Sequence, residues 1–314
     1  MKALVTGGAG FIGSHIAEAL CRRGAKVVAL DNLCLGALEN LAWKRPGDQV
    51  DFIEGDVCDN KLITDLVRGC DWVFHEAALP SVPVSVEKPI ETNQKNLDAT
   101  LQLLVAARDA KVKRFMFASS SAIYGDSEAP LKRETDIPLP LSPYALQKYA
   151  SERYGQMFFQ LFGLETVSFR YFNVFGPRQS FDSPYSGVIA KFCTSMIEGK
   201  APTILGDGKQ SRDFVSIQNV AEANLSGAEA PAHQVAGRVF NIGTGSSINL
   251  LDLVDELNRQ TGQNLKPNFG PARAGDVRQS QADISAARLQ LGYEPKVTWQ
   301  QGLAETLNFY RGQK

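Results

Sequence analysis

Three side chains of this sequence could together act on an alcohol, namely Ser120, Tyr144 and Lys148. Tyr144 and Lys148 lie four residues apart in a stretch predicted to be helical, with Pro143 suited to its first turn, so both side chains share one face. An ammonium group near a phenol lowers the phenol pKa, which is ordinarily ~10. The pair therefore predicts a general base that can take a proton from a hydroxyl group near neutral pH.

A Tyr-x-x-x-Lys pair is common on amphipathic helices, so how strongly it indicates a catalytic site depends on the rest of the chain. The sequence begins with an apolar run that ends in Gly7, Gly8, Gly10 and Gly13, followed by a helical pattern and a second apolar run, KVVALD. This order predicts a βαβ unit, in which glycines permit a tight turn and let a pyrophosphate approach a helix N-terminus. A tight turn that binds nothing is the alternative.

Two aspartates follow predicted strands and bear on the identity of the dinucleotide. Asp31 ends the second apolar run, where its carboxylate can accept hydrogen bonds from ribose hydroxyls and repel a 2′-phosphate. Since no arginine occurs in the nine residues that follow, NLCLGALEN, the sequence favours NAD over NADP. Asp56, with Val57, follows a third short run and is a candidate neighbour of the adenine, although an acidic turn residue fits this position nearly as well.

Composition limits the function classes. The chain has 314 residues, 44% hydrophobic and 21% charged, enough for one large α/β domain and a smaller one. A net charge of −1 gives no general attraction to nucleic acid or an anionic membrane. The five cysteines form no Cys-x-x-Cys pair and the three histidines are isolated, which predicts no metal site. We therefore expect a cytoplasmic protein with reduced thiols, without a leader or membrane-spanning segment.

The order of elements predicts the fold class. Strand-like and helical runs alternate through the first half, which indicates an α/β fold, a Rossmann-type doubly wound parallel sheet with a smaller α/β C-terminal substrate domain. We expect the NAD-binding domain to span residues 1–175, with 213–243 returning to it, and the substrate domain to lie mainly in 176–314. Ligands bind beyond the carboxyl ends of such strands, where HEAAL (75–79) and Ser119 to Ser121 should lie.

Several motifs resemble the extended short-chain dehydrogenase/reductase superfamily, most closely its NAD-dependent nucleotide-sugar 4-epimerases. They are TGGAGFIG, DNL, HEAA, SSSAIYGD, SPYALQK and RYFNVFGPRQ, and the later segments GDGKQSRDFV and PARAGDVRQSQADISAARLQLGY extend the resemblance over essentially the whole chain. One departure is Asp98-Ala99, where relatives usually have a glycine before the threonine, which should affect helix packing more than chemistry. Related dehydratases and decarboxylases carry an acidic residue just after the catalytic Ser or Thr. Here Ser120 is followed by Ser121 and Ala122, so epimerisation is favoured over dehydration or simple reduction.

The resemblance implies roles for the three residues introduced first. Tyr144 would take the proton from the sugar 4-hydroxyl, Ser120 would bind the same oxygen, and Lys148 would bind the nicotinamide ribose, with NAD retained as a prosthetic group because net redox is zero. Ser119 and Ser121 are the alternatives to Ser120. The cofactor contacts it implies are Gly7, Gly10, Phe11, Ile12, Gly13, Asp31, Asn32, Asp56, Val57, Ala77, Tyr144 and Lys148.

The resemblance also implies a UDP-sugar substrate. Arg212 and Arg273 match diphosphate-clamping arginines, for which a guanidinium fork is suited. Ser280 matches a position where a bulky tyrosine restricts the pocket and a small side chain admits a 2-acetamido group. This favours UDP-GlcNAc and UDP-GalNAc, with activity on UDP-glucose and UDP-galactose. The substrate contacts it implies are Ser81, Ser120, Ser121, Tyr144, Asn173, Gln179, Arg212, Arg273 and Ser280.

Two other functions remain open at this stage. A UDP-glucuronate 4-epimerase would need an arginine for the sugar carboxylate, and Arg178 or Arg278 could serve. A non-catalytic NAD sensor would use the dinucleotide site alone and could dispense with the serine, tyrosine and lysine. Relatives also suggest a homodimer formed by the helix over 94–110 and the helix of Tyr144, and the apolar residues of those helices are equally compatible with intramolecular packing.

Overall fold

A computed structural model describes residues 1–181, 187–272 and 278–312 of the chain. Its strands are β1 (Lys2–Thr6), β2 (Lys26–Asp31), β3 (Val50–Glu54), β4 (Trp72–His75), β5 (Arg114–Ser120), β6 (Leu131–Lys132), β7 (Glu165–Tyr171), β8 (Asn173–Phe175), β9 (Thr203–Leu205), β10 (Ser211–Arg212), β11 (Phe214–Ser216), β12 (Arg238–Ile242), β13 (Ile248–Asn249), β14 (Asn268–Gly270) and β15 (Gln279–Ala282). Its α-helices are α1 (Phe11–Arg22), α2 (Asn60–Leu66), α3 (Val82–Glu87), α4 (Pro89–Asn93), α5 (Ala99–Asp109), α6 (Pro143–Phe162), α7 (Val188–Ile197), α8 (Ile217–Glu229), α9 (Ala232–Val235), α10 (Leu250–Thr261), α11 (Ser285–Leu291) and α12 (Trp299–Gly312). Short 3₁₀ helices occupy Leu38–Leu41 and Ser121–Tyr124.

Seven parallel strands form the central sheet, in the order β3-β2-β1-β4-β5-β7-β12. The chain runs outward from β1 to β3 and then crosses back to β4, so the strand order reverses between β1 and β4. In open α/β sheets ligands bind at the carboxyl edge beside this reversal. The inner strands are apolar along their length and buried, as expected for a sheet covered on both faces.

Helices cover both faces of the sheet, which confirms the doubly wound prediction. On one face, α1 packs against α8, and Ile16, Leu20 and Val220 enter the same core. On the other face, α2, α5 and α6 bury Ile63, Leu103 and Phe158 against the strands. The two helical layers hold the strands rigidly, so the loops at their carboxyl ends are presented from a fixed frame.

The helix predicted over residues 94–110 is not a regular α-helix throughout. A π-helical turn occupies Gln94–Asp98 between α4 and α5. Within it, buried Asn96 donates a hydrogen bond to Gln147 Oε1 at 2.9 Å and accepts one from Leu79 N at 2.7 Å. The wider turn therefore points Asn96 inward and ties the loop after β4 to α6, which carries Tyr144 and Lys148. Such π turns occur often at functional sites.

The later part of the chain builds smaller sheets and a separate core. One sheet has the order β13-β10-β15-β6, and β8 pairs with β11, as β9 does with β14. Helices α7, α10 and α12 bury a third hydrophobic cluster that includes Cys193, Leu253 and Leu303. Strand β12 returns to the edge of the large sheet beside β7. The residue limits of the two domains stay a prediction. In the described parts of the chain, no helix combines the length and apolarity needed to cross a membrane.

Candidate active site

A cavity of about 830 Å³ opens at the carboxyl edge of the central sheet, on both sides of the strand reversal. Its volume is in the range of small-molecule sites, ~300–1,000 Å³. It is lined by the loops after β1 to β4, by the end of β5, and by residues from α6 and the segment after β8. Every predicted cofactor residue lies on its wall, from Gly7 to Lys148.

The glycine-rich turn after β1 is packed too tightly for side chains. Gly7 has φ +67°, and a Cβ there would lie 2.9 Å from Ala77 N. A Cβ on Gly13 would lie 2.1 Å from Gly7 O. Helix α1 begins directly after this turn at Phe11, and the N–H groups of its first turn have no acceptor within the helix. The turn after β1 and the start of α1 thus fit a pyrophosphate held by backbone amides at a helix N-terminus.

Asp31 lies at the end of β2 with its carboxylate fixed by the backbone. It accepts hydrogen bonds from Ala9 N at 3.0 Å and Leu33 N at 2.8 Å. A Cβ on Gly36 would lie 2.8 Å from either carboxylate oxygen, so the glycine leaves space around the acceptor. Beyond it, Asn32 Nδ2 donates to Asp56 Oδ2 at 2.8 Å. These groups fit the adenosine half of NAD.

Tyr144 lies in the first turn of α6, which begins at Pro143 and is capped by Ser142, whose side chain accepts from Ala145 N. Burial raises the pKa of Tyr144 to about 12, and a hydrogen bond with Ser120 only partly offsets it. The sequence-based expectation of a lowered phenol pKa is therefore wrong. The physical reason is that the free-energy cost of removing the phenolate from water exceeds the stabilisation that the neighbouring groups provide.

Lys148 lies one turn after Tyr144 and is buried. Its Nζ donates to Ala118 O, near the end of β5, at 2.7 Å and lies 4.9 Å from the centre of the Phe117 ring. Burial lowers the pKa of Lys148, and the charge of Glu76 opposes that effect. The side chain is therefore held in one position between α6 and β5 rather than solvated.

The three consecutive serines at the end of β5 are used differently. Ser119 lines the cavity, but its Oγ donates to Glu152 Oε2 at 3.0 Å, so its hydroxyl is engaged in a buried network. Ser120 accepts from Ala122 N at 3.1 Å, and it is the serine whose side chain lowers the pKa of Tyr144. Ser121 begins the following 3₁₀ helix. This arrangement favours Ser120 over Ser119 as the partner of the tyrosine.

The predicted substrate residues are spread over several elements. Arg212 and Ser280 are direct neighbours on the parallel strands β10 and β15. Asn173 is opposite Phe214 in the pair β8 and β11, and Gln179 lines the cavity. Ser81 is buried and caps α3 by accepting from Val84 N at 3.2 Å, and it does not line the cavity. Arg273 lies outside the described residues.

Glu76 and Tyr171 also line the cavity, and the sequence analysis gave neither of them a role of its own. Glu76 follows β4, and its Oε1 accepts from Tyr171 Oη at 3.1 Å. Its Oε2 is buried and has no hydrogen-bond partner among the described residues. Burial raises the pKa of Glu76, and Lys148 counteracts this. The sequence did contain a signal for Glu76, because it is an ionisable residue directly after a central strand and lies inside the HEAA motif.

Comparisons with known proteins agree with this geometry. Residues 3–243 match the family model described as NAD dependent epimerase/dehydratase family. A UDP-glucose 4-epimerase of Mycolicibacterium smegmatis is 37% identical, covering 99% of each chain. The structure of a UDP-N-acetylglucosamine 4-epimerase from Methanobrevibacter ruminantium, in complex with UDP-N-acetylmuramic acid, superposes with a TM-score of 0.94 at 38% identity, covering 100% of this chain and 99% of that one. A UDP-glucose 4-epimerase of Thermus thermophilus in complex with NAD superposes with a TM-score of 0.89 at 37% identity, covering 100% of both chains.

Proposed function

Because this chain belongs to the NAD-dependent epimerase/dehydratase family and is a UDP-sugar 4-epimerase that uses NAD, we propose that its preferred substrates are UDP-GlcNAc and UDP-GalNAc. We propose that it also interconverts UDP-glucose and UDP-galactose. The observation that carries the preference is the small side chain of Ser280, placed on β15 directly beside Arg212 on β10. A diphosphate held by Arg212 would leave the sugar near a residue too small to exclude an acetamido group.

We propose a separate role for each of the residues Tyr144, Ser120 and Lys148. Bound NAD supplies the hydride acceptor and donor at C4. Tyr144 takes the proton from the 4-hydroxyl. It returns the proton after the 4-keto sugar has rotated to present its opposite face. Ser120 binds the same oxygen and keeps it within reach of the phenol, whose pKa the serine side chain lowers. Lys148 binds the nicotinamide ribose and stabilises the phenolate as it forms.

The raised phenol pKa makes the charge of Lys148 necessary. A phenol with a pKa of about 12 is protonated at neutral pH, so ionisation depends on a positive charge at the moment of transfer. Burial lowers the pKa of Lys148, and its ammonium is present only below that pKa. We therefore predict that kcat/KM falls with rising pH, beginning well below the ordinary lysine value of ~10.4.

The pH prediction is tested with rate profiles of the wild type and Lys148→Arg. The guanidinium stays charged throughout the range, so the arginine variant, although slower, should lose the alkaline limb. If kcat/KM of Lys148→Arg fell at high pH in the same way as that of the wild type, the group that titrates would be a residue other than Lys148.

The proposed substrates are tested directly by incubating the purified protein with UDP-GlcNAc and, separately, with UDP-glucose. The 4-epimers are resolved by proton NMR or anion-exchange chromatography. We expect both to be converted without added cofactor if NAD is retained, and on addition of NAD if it is not. Conversion of UDP-glucose alone would contradict the proposed preference for acetylated sugars.

Replacing Ser280 by tyrosine should change specificity. The larger side chain should lower kcat/KM for UDP-GlcNAc by at least about tenfold relative to that for UDP-glucose, since filling a pocket of this kind discriminates by ~1–3 kcal/mol. Ser280→Ala is the matched control and should leave the ratio unchanged. Equal losses on both sugars would show that Ser280 does not gate the pocket.

The UDP-glucuronate alternative receives less support from the arginines considered for it. Arg178 forms an ion pair with Glu18. Arg278 is exposed and pairs with Asp207 at 3.0 Å. Both guanidinium groups thus already form an ion pair, and only Arg178 keeps a buried nitrogen, Nη1, without a hydrogen-bond partner among the described residues, so Arg278 is the less suited of the two to a sugar carboxylate.

We also propose that the chain forms a homodimer through α5 and α6. Of the apolar residues on these helices, Leu104 and Phe158 are buried within the chain, whereas Met157 and Leu161 are exposed, at 43% and 66%. Leu146, also on α6, is 55% exposed. These α6 side chains could pack against a second copy. Light scattering coupled to size-exclusion chromatography gives the mass, and a monomer at micromolar concentration would contradict this proposal.

A further inference from the structure

The two ends of the cavity differ in their acidic groups. A dinucleotide that crosses the strand reversal would have its adenosine half over β1 to β3, beside Asp31, and its nicotinamide half towards β4, β5 and β7. Among the described residues that line the cavity, Asp31, Glu39 and Asp56 are the acidic ones on the adenosine side, and Glu76 is the acidic one on the nicotinamide side. Glu76 therefore lies at the end of the cavity where a nicotinamide ring changes its charge.

The carboxylate of Glu76 is oriented by the sheet and only half satisfied. Its Oε1 accepts from Tyr171 Oη, at the end of β7, and this hydroxyl in turn accepts from Asn224 Nδ2, on α8, at 2.7 Å. Its Oε2 is buried and has no hydrogen-bond partner among the described residues. Leaving a buried carboxylate oxygen unpaired is costly, so a positively charged or hydrogen-bonding group of a ligand is expected beside it.

Lys148 is the cation that acts on this carboxylate. Each of the two groups opposes the effect of burial on the pKa of the other. The Lys148 Nζ nonetheless donates to Ala118 O rather than to Glu76. Because Glu76 and Lys148 both line the cavity and interact by charge without a direct hydrogen bond, a third charged group can enter the field of both.

The other titratable side chains around Glu76 are neutral near neutral pH. Burial lowers the pKa of His75, the preceding residue, to about 3. Burial also raises the pKa of Tyr144 to about 12 and that of Tyr171 well above the ordinary phenol value. Among the described residues, Glu76 is therefore the source of negative charge at this end of the cavity.

Fixed charges at this place bear on the redox balance of the cofactor. A nicotinamide ring is a cation when oxidised and is neutral when reduced, so an ammonium beside it favours the reduced form and a carboxylate favours the oxidised form. Lys148 and Glu76 thus have opposite effects. An epimerase takes a hydride from the sugar and must give it back, so its cofactor has to be readily reduced without remaining reduced.

We propose that Glu76 tunes the redox balance of the cofactor, its carboxylate stabilising the oxidised, cationic nicotinamide and so promoting return of the hydride to the 4-keto sugar. The electrons balance within one turnover, because the hydride that leaves C4 is the hydride that returns and the hydroxyl proton is kept by Tyr144. No external oxidant or reductant is required. The inference rests on the proposed placement of the nicotinamide beside Lys148 and holds whichever UDP-sugar is the substrate.

Cofactor affinities test this role in the absence of any sugar. NAD-depleted wild type and Glu76→Gln are titrated with NAD⁺ and with NADH at about pH 8, above the raised pKa of the carboxyl group. Glutamine keeps the volume and an oxygen that can accept from Tyr171. We expect the ratio of Kd for NADH to Kd for NAD⁺ to fall about 10- to 100-fold in the variant, as for a charge–charge interaction over ~6–10 Å at an effective dielectric constant of ~20. The reduction potential of the bound cofactor should rise by about 30–60 mV, since a tenfold change is ~30 mV for two electrons.

The pH dependence of the same ratio gives a second measurement. Burial raises the pKa of Glu76 to about 7, so the carboxyl group becomes protonated as the pH falls and no longer distinguishes the two forms of the cofactor. The wild-type ratio should therefore approach that of Glu76→Gln towards about pH 5, below the raised pKa. Lys148 is present in both proteins, so its own titration does not account for such a convergence.

Two further variants separate the charge from other effects of the substitution. Glu76→Asp keeps the charge on a shorter side chain and should retain most of the wild-type ratio. Glu39→Gln removes an exposed carboxylate on the adenosine side of the cavity and should leave the ratio unchanged.

Three results would overturn the proposed role of Glu76. They are an unchanged ratio in Glu76→Gln, equal weakening of NAD⁺ and NADH, and a difference between the two proteins that stays constant from about pH 8 to about pH 5. Failure to convert any UDP-sugar, measured separately, would count against the proposed function and not against this role, because the affinities are measured without sugar.

Discussion

Replacing Tyr144 by phenylalanine should lower kcat by about 10²- to 10⁴-fold, the usual contribution of a positioned acid or base. The substitution removes one hydroxyl from a buried ring and leaves the helix start at Pro143 and the Ser142 cap intact. Binding of NAD should therefore persist, and the loss should be in turnover rather than in cofactor content. The measurement is the rate of UDP-GlcNAc and UDP-glucose interconversion, with NAD per chain determined on the same sample.

Two further variants define what the result means. Ser120→Ala should slow turnover because this serine side chain lowers the pKa of the phenol, whereas Ser121→Ala should have the smaller effect. If Tyr144→Phe retained wild-type turnover, another base would have to carry the proton. Because the chain is an isomerase, the alternative of a non-catalytic NAD sensor is not retained, and a sensor would also tolerate this substitution.

Glu152→Gln should destabilise the fold by about 3–5 kcal/mol, the effect expected from breaking a buried ion pair. Arg170 lies across from Glu152 with its Nε and Nη2 at 3.0 and 2.7 Å from the two carboxylate oxygens. The side chains of Glu152 and Arg170 are only 1% and 4% exposed. The pair also binds Ser119 Oγ and, through Arg170 Nη1, the hydroxyl of Tyr124. Glutamine would leave the guanidinium without a compensating charge.

The test is urea unfolding of the NAD-bound proteins, followed by circular dichroism. Asp65→Asn removes one partner of an exposed ion pair with Lys61 and should be indistinguishable from wild type. Glu152→Leu combined with Arg170→Met should recover part of the loss, because both charges leave the interior together. A Glu152→Gln protein as stable as the wild type would show that the pair contributes no net stability. Since Glu152 lies one turn beyond Lys148 on α6, a loosened pair should also lower turnover.

Much of the cofactor site could be predicted from the sequence because its determinants are local. Gly7, Gly10 and Gly13 are needed by a single turn and the helix that follows it, and Asp31 ends the adjacent strand. The alternation of strands and helices restricts the topology to a few arrangements, all of which bring the carboxyl ends of the strands to one edge. The residues predicted to bind the cofactor therefore all line one cavity.

Short-range spacing and strand order are sufficient to specify the Rossmann-type sheet, the glycine-rich turn and the common helix face of Tyr144 and Lys148. The ionisation of these groups depends instead on the tertiary packing around them. Burial raises the phenol pKa of Tyr144 although Lys148 is one turn away, and the fold brings Glu76, which follows β4, close enough to act on that lysine. It also joins Arg178 to Glu18, 160 positions earlier in the chain. Desolvation and contacts of this kind depend on what packs around a residue, which its neighbours in sequence do not specify.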